Sequence, residues 1–312
     1  MIAPLRIGTR GSALALWQAQ TVAERLGERG IATELVVIRT SGDRLQERPL
    51  SEDGGKRLFV KEIEDALFSG RVDLAVHSAK DMPSDDLATL AIAAALPRED
   101  PRDALIVPEV SGRMPFAIAL GRMPRRPAIG TGSIRRVAQI SALAPGARFL
   151  PVRGNVDTRL RKLDAGEFDA IVLAAAGLKR LGYGGRISAF VEIDQCVPAP
   201  GQGIVAIQIR REDNRTTAAV SPLNDAATLA SLTAERVVVA ALGGGCQLPL
   251  GAIAVATRTL LDMRVMVASP DGRHVISRTG TGPRSHPAAL GRRLADELIR
   301  AGALEILDEV RA

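Results

Sequence analysis

Along the first two thirds of the chain, short apolar runs alternate with amphipathic stretches. Leu5 to Gly8, Glu34 to Ile38 and Val72 to Val76 are aliphatic runs of strand length. Ala13 to Gly30, with Leu14, Trp17, Val22 and Leu26 on or near one face, carries helical spacing, as does Val60 to Gly70. The pattern restarts after Pro97-Arg98-Glu99-Asp100-Pro101. There Ala104 to Val107, Ala128 to Gly130, Phe149 to Val152 and Asp169 to Leu173 predict strands, and Ile134 to Leu143 and Val156 to Ala165 predict helices. Strands that are apolar throughout and separated by helices predict parallel sheets covered on both faces, hence a doubly wound α/β fold in two halves that meet at a cleft. Trp17 and Met82 read as core side chains.

A Pro/Gly segment, Val197 to Gly203, marks a crossing, and Gly203 to Arg210 reads as a buried strand that returns the chain to the first sheet. From Ser221 the style changes. Asp225 is placed to cap a helix over Ala226 to Leu242, followed by Gly243-Gly244-Gly245-Cys246, two or three strands with a Pro270-Asp271-Gly272 turn, and a last helix near Pro287 to Arg300. This is a smaller α+β domain. The boundaries expected are 1–98 plus 195–217, 99–194, and 218–312.

Composition then removes several classes of function. A chain of 312 residues suffices for about two domains with real cores. Cys196 and Cys246, fifty residues apart, form neither a disulfide framework nor a zinc ligand set, and with three scattered histidines the expectation is that no metal is bound. The start lacks a signal-peptide core, and no apolar run approaches a membrane span, so a cytoplasmic protein is expected. The charge of +6 raises nucleic acid as a partner. Against it, only eight residues are aromatic, too few for a base-stacking platform, and no basic block or tail exists. Only five basic residues are Lys, so Arg dominates, and Arg suits forked binding of carboxylate or phosphate.

In an open α/β sheet, ligands sit beyond the carboxyl ends of the strands, against helix N-termini. Three strand-to-helix junctions share small hydroxyl or glycine residues with Arg: Gly8-Thr9-Arg10-Gly11-Ser12, Gly130 to Arg136, and Arg153 to Arg159. Any one of them also reads as an ordinary N-cap followed by a solvated arginine. Three at equivalent positions, carrying five Arg, favour a ligand with several anionic groups. None has the phosphate-loop or dinucleotide glycine spacing, so a nucleotide is not the favoured anion.

A fourth strand end, Val76-His77-Ser78-Ala79-Lys80-Asp81-Met82-Pro83, sets Lys80 beside Asp81. A carboxylate there would stabilise a developing cation or exchange a proton with an amine; the alternative is a surface ion pair in a turn. His77 reads as a packed, hydrogen-bonded residue. Cys246 follows three glycines, which suggest an unusual loop from which the sulfur reaches out, although free Cys is usually a buried small hydrophobe. Cys196 reads as structural.

Taken together, Arg10 to Gln18, Gly54 to Glu62, His77 to Asp81, Thr131 to Arg136, Arg153 to Arg159 and Gly244-Gly245-Cys246 closely resemble the porphobilinogen deaminase (hydroxymethylbilane synthase) family. The likeness runs in order from Leu5 to Gly251. It implies two periplasmic-binding-protein-like doubly wound domains and a smaller C-terminal α+β domain carrying the cysteine. It also implies a transferase of tetrapyrrole (haem) biosynthesis that condenses four porphobilinogen molecules head to tail, with loss of ammonia, into a linear hydroxymethyl tetrapyrrole. The pyrroles carry acetate and propionate groups, which suits Arg-rich helix starts. A dipyrromethane cofactor is implied as a thioether on Cys246. Asp81 would be the catalytic carboxylate, stabilising the azafulvenium cation. Ser12, Lys80, Asp81, Thr131, Ser133, Arg135, Arg136 and Arg159 would bind the cofactor, and Arg10, Gln18, Lys56, Arg153 and Arg180 the substrate or growing chain. Family precedent implies a monomer that binds neither nucleic acid nor membrane. The loop from Ser41 to Asp53 is the least constrained stretch.

Two other classes stand beside this one. A non-catalytic two-lobed anion binder needs only the junctions, and leaves Cys246 incidental. A nucleic-acid binder rests on charge alone and predicts a steep loss of binding with salt.

Overall fold

A computed structural model describes residues 3–41, 60–83, 87–108, 112–244 and 248–311. Its first sheet holds β1 (Leu5–Thr9), β2 (Thr33–Val37), β3 (Leu74–Ser78), β4 (Leu90–Ala95) and β10 (Val205–Arg210) in the order β2-β1-β3-β10-β4. The second holds β5 (Asp103–Ile106), β6 (Ala128–Gly130), β7 (Arg148–Leu150), β8 (Ala170–Ala174) and β9 (Ala189–Val191) in the order β7-β6-β8-β5-β9. The two sheets are therefore built to one plan.

Neither sheet is wholly parallel, which corrects the expectation from the apolar runs. β10 runs antiparallel to both its neighbours, β3 and β4, and β5 runs antiparallel to β8 and β9. Each reversed strand is the first one laid down after the chain crosses between lobes. The two crossings lie side by side: Leu96 N–H donates to the Val205 carbonyl and Glu99 N–H to the Gly203 carbonyl, both at 3.0 Å. Antiparallel entry needs only a short connection, where a parallel strand would need a further crossover helix. The reversed strands are still buried on both faces, so their sequences look like parallel ones.

The helices begin where the sequence places caps. Ser12 caps α1 (Ala13–Gly27), its hydroxyl accepting from Ala15 N–H at 3.3 Å. After α2 (Lys61–Phe68), α3 (Phe116–Gly121) and α4 (Ile134–Ile140), Asn155 caps α5 (Val156–Asp164), accepting from Thr158 N–H at 3.0 Å. Several elements carry no periodic signal: β4 is Leu-Ala-Ile-Ala-Ala-Ala, α6 (Ala175–Arg180) follows β8 without a break, and β9 and α7 (Asn214–Val220) are short.

The C-terminal unit is an antiparallel sheet of β11 (Leu250–Ala256), β12 (Leu260–Ala268) and β13 (Val275–Pro283), packed with α8 (Ala226–Ala241), α9 (Pro287–Arg300) and α10 (Ala303–Arg311). Asp225 caps α8 as expected, accepting from Thr228 N–H at 2.7 Å. This unit touches both lobes. Leu232 packs with Ala79, Met82 and Ala206 of the first, and Ile253, Met266 and Ala268 pack with Ala138 of the second. The β12–β13 turn reaches α4 so closely that a Cβ on Gly272, whose φ is +70°, would lie 2.2 Å from the Ala138 carbonyl oxygen. Glu235, wholly buried on α8, binds Arg98 of the first crossing at 2.6 Å, Gly201 N–H of the second at 2.6 Å and Ala254 N–H of β11 at 2.7 Å.

Within the first lobe, His77 Nε2 meets Gln208 Oε1 at 3.1 Å, and Gln208 Nε2 donates to Glu64 Oε1 at 3.1 Å, all three residues buried. Burial, aided by the nearby Arg10 and Arg236 and opposed by the Gln208 bond, pushes His77 down to about 4. A histidine held neutral when folded but free to charge when unfolded contributes stability that is complete above about 6.5 and is lost as pH falls toward 4. The shift corresponds to about 3 kcal/mol across that window. Thermal melts between pH 7 and 4 should show this decline, and His77→Gln should flatten it; equal slopes for the two proteins would remove the role given to His77.

Candidate functional site

The cleft between the lobes is a cavity of about 1200 Å³. Its walls are the strand-to-helix junctions, brought together because β1, β3, β6 and β8 direct their carboxyl ends toward it. The charge there is one-sided. Arg10, Arg39, Lys80, Arg136, Arg153, Arg159 and Arg180 line it, against Asp81 and Asp157. Asp157 already accepts a hydrogen bond from the Tyr183 hydroxyl at 2.7 Å.

Asp81 ends a single 3₁₀ turn, Ala79–Asp81, at the end of β3. The turn is pinned from below, where Ala79 N–H donates to the Ile204 carbonyl at 3.0 Å and Gly201 presses against the Ala79 backbone. Asp81 borders the large cavity and also a side pocket of about 40 Å³ formed with Arg10, Ser12, Gln18 and Ser78. Buried Gln18 donates to the Ser78 hydroxyl at 3.1 Å, fixing α1 to the end of β3. Lys80 also faces the cavity; burial lowers its pKa, opposed by Asp81 and reinforced by Arg136.

The cations crowd one another. Burial pushes Arg159 down to about 10, with Arg136 and Arg153 acting in the same direction and Asp81 against them. Arg159 Nε donates to the Gly154 carbonyl at 2.8 Å. Burial likewise pushes Arg180 down to about 10, opposed by Glu99. Depressed arginines mark a desolvated positive site that an anionic ligand would relieve.

The junction after β6 works differently from the other two. Ser133 stands at the N-cap of α4 but makes no capping bond, and Thr131 instead accepts from Ser133 N–H at 3.3 Å. Thr131 and Ser133 both line the cavity. Arg135 and Arg136 point inward to one carboxylate, Asp103 at the start of β5. Arg135 Nη2 binds Asp103 Oδ2 at 2.7 Å, and Arg136 Nε and Nη2 bind Asp103 Oδ1 at 3.0 and 2.8 Å. Gln202 Nε2 donates to the same Oδ1 at 2.9 Å. Although burial alone would raise it, the two guanidinium groups hold the Asp103 carboxyl well below the usual carboxylate range.

Several expectations change here. Arg136 reaches the cavity, but Arg135 does not border it: its Nη1 donates to the Val197 carbonyl at 2.7 Å and to Cys196 Sγ at 3.2 Å. Arg135 thus stands in the wall behind the cavity. Gln18 lines the side pocket, not the main cavity. Trp17 is not core; it is 38% exposed, with Arg180 over its ring at 5.6 Å. Met82 and Cys196 are buried as expected, and burial pushes the Cys196 thiol up to about 12. Ser12, Arg10 and Arg153 all border the cavity. Cys246, Lys56 and most of the Ser41 to Asp53 loop lie outside the described residues. Asp103, Gln202 and Glu235 escaped notice in the sequence. The signal for Glu235 was that it is the one acidic residue of the otherwise mostly apolar α8; an Asp opening a four-residue strand gives none.

Residues 5–218 match the family described as "Porphobilinogen deaminase, dipyromethane cofactor binding domain", and residues 229–300 match "Porphobilinogen deaminase, C-terminal domain". The chain is 46% identical over 308 residues to porphobilinogen deaminase of Bordetella parapertussis, covering 98% of this chain and 96% of that one. It is 45% identical over 310 residues to porphobilinogen deaminase of Thiobacillus denitrificans, covering 99% of each. Among solved structures, a periplasmic substrate-binding protein of an ABC transporter from Coxiella burnetii is 14% identical with a TM-score of 0.41, over 72% of this chain and 94% of that one. That likeness is too loose to bear on ligand or mechanism.

Asp103→Asn would leave two buried guanidinium groups without their counter-charge. Stability should fall by about 3–5 kcal/mol, the usual cost of removing one partner of a buried ion pair, read as a lower midpoint of urea unfolding. A midpoint equal to that of the unaltered protein would show that Asp103 does not hold the wall together.

Proposed function

The chain belongs to the porphobilinogen deaminase family, and we propose that it carries out the family's condensation at Asp81, with the cavity's cations holding the acidic side chains of the product as it grows. It is a transferase of tetrapyrrole biosynthesis, a hydroxymethylbilane synthase that joins four porphobilinogen molecules with release of ammonia. The observation that carries the assignment of roles is the position of Asp81, a carboxylate bordering both the large cavity and the side pocket among converging cations.

The residues present fit a dipyrromethane. Its acetate and propionate groups would add counter-charge to a cluster of buried, mutually repelling cations that outnumbers the carboxylates lining the cavity. When bound, the dipyrromethane supplies a covalent primer for chain growth, attached in this reading through Cys246. Lys80, Arg136 and Arg159 would bind its carboxylates as charged donors, and Ser12, Thr131 and Ser133 as hydroxyl donors. Arg135 supports Arg136 through Asp103. Arg10, Arg153 and Arg180 border the remaining space and would hold the carboxylates of incoming substrate and growing chain. Gln18 would act from the side pocket, and Lys56, outside the described residues, would also bind substrate.

Asp81 acts by charge. As ammonia leaves porphobilinogen, positive charge develops on the pyrrole carbon framework, and a fixed carboxylate beside it binds the transition state more tightly than the ground state. The cations around Asp81 hold the substrate so that the developing cation forms within reach. The domain division expected from the sequence belongs to the same reading and is supported by the three sheets and two adjacent crossings. Family precedent supports a cytoplasmic monomer. Among the described residues, no helix is long and apolar enough to cross a membrane.

Asp81→Asn keeps shape and loses charge, so turnover of porphobilinogen should fall by at least about a hundredfold, the scale of losing one preorganised electrostatic group. The denatured intact mass should still include the dipyrromethane. Near-normal turnover would remove Asp81 from the chemistry. Cys246→Ser should lack the added mass; an adduct that persists would place the attachment elsewhere.

A further inference from the structure

Trp17 is the single tryptophan of the chain, an exposed side chain of α1 beside Arg180, which lines the cavity. There α1 of the first lobe meets α6 of the second. Leu14 lies against Gly177, where an added Cβ would be 3.6 Å from Leu14 Cδ2. One turn further along both helices, the Arg180 guanidinium lies over the Trp17 ring, 5.6 Å from its centroid. Arg180 Nη2 also donates to the Gly203 carbonyl at 2.7 Å, on the return crossing. The side chain springs from the second lobe and is held by the first lobe and the crossing, and it lines the cavity.

We infer that Trp17 is a positioning residue for porphobilinogen: its ring, together with the Gly203 carbonyl on Nη2, holds the Arg180 guanidinium at the cavity wall while leaving that group's other N–H donors to the carboxylates of substrate or growing chain. The inference rests on the reading of Arg180 as a substrate-binding residue. The physical reason lies in how a guanidinium is held. A carboxylate engages the N–H fork and cancels the charge, which is how Asp103 holds Arg135 and Arg136. An aromatic ring engages the planar face, and the edge with its N–H groups stays available. A wall arginine needs a holder such as Asp103. An arginine that must present its fork to a ligand needs a holder that does not compete for it, and Trp17 is such a holder. Its exposure means that replacing it opens no cavity in a core.

The test is steady-state kinetics of the cofactor-loaded enzyme for Trp17→Leu, Trp17→Phe, Arg180→Gln and the double variant Trp17→Leu/Arg180→Gln, each checked for fold by thermal melting. Trp17→Leu should raise KM for porphobilinogen about two- to fivefold, the range of an exposed cation–π contact, with a smaller change in kcat. Trp17→Phe, which restores an aromatic face, should recover most of that loss. In the Arg180→Gln background, Trp17→Leu should add nothing. An equal rise in KM with and without Arg180, or a phenylalanine variant as impaired as the leucine one, would overturn the role of Trp17 while leaving Arg180 as a binding residue. An Arg180→Gln enzyme with unaltered KM would overturn the reading of Arg180 itself, and the inference with it.

Discussion

The buried carboxylate of Asp103 is the interaction on which the rest of the structure depends. It stands at the first residue of β5, immediately after the first crossing, and binds both arginines of the first turn of α4 and Gln202 of the return crossing. One wholly buried charge thus fixes a helix start and both inter-lobe connections relative to one another. Taking an Asp and two Arg out of water is costly, and the cost is offset only because their hydrogen-bonding capacity is almost completely used. The arrangement favours one geometry at that corner because every alternative leaves a buried charge unpaired. Glu235 does the same from the C-terminal unit, tying α8 to both crossings and to β11.

With the wall braced in this way, the cavity can hold many more cations than carboxylates on its surface. Arg159, Arg180 and Lys80 are all shifted toward the neutral form by burial, and Arg136 and Arg153 add to the repulsion on Arg159. Such a surface is unfavourable without an anion, and its cost is borne by the packing elsewhere. It is suited to a product that lengthens while staying polyanionic, because each added pyrrole meets further guanidinium groups. Asp81 and Asp157 are the exceptions in sign among the described lining residues, and Asp157 accepts from the Tyr183 hydroxyl, whereas Asp81 stands at the end of β3 between the cavity and the side pocket, as the proposed role requires. The C-terminal unit packs on both lobes, so the cleft is not a simple two-lobed clamp.

Much of this was legible in the chain. The strands β1, β3, β6 and β8, the caps at Ser12, Asn155 and Asp225, the return of the chain to the first sheet and the three Arg-bearing junctions follow from periodicity, cap chemistry and turn residues, which are local properties. His77 was legible as a packed residue for the same reason. The reversed directions of β5 and β10 were not, since a strand buried on both faces has the same composition whichever way it runs. Nor was the split between Arg135 and Arg136. They are adjacent in sequence, identical in chemistry and both bound to Asp103; what separates them is that Arg135 also reaches Val197 and Cys196 at the return crossing, whereas Arg136 reaches the Val172 carbonyl and borders the cavity.

The sequence by itself determined the two doubly wound lobes, the smaller α+β unit, and the presence of a carboxylate among arginines at strand ends, because these depend on spacing over a few residues. The tertiary structure decided which of those arginines border the cavity and which stand behind its wall. It also brought Trp17 out of the core and under Arg180. The partners that settle each case lie far away in the chain, Asp103 32 and 33 residues before the two arginines it holds. Pairing over such distances is set by how the sheets and crossings pack, and residue spacing carries no record of it.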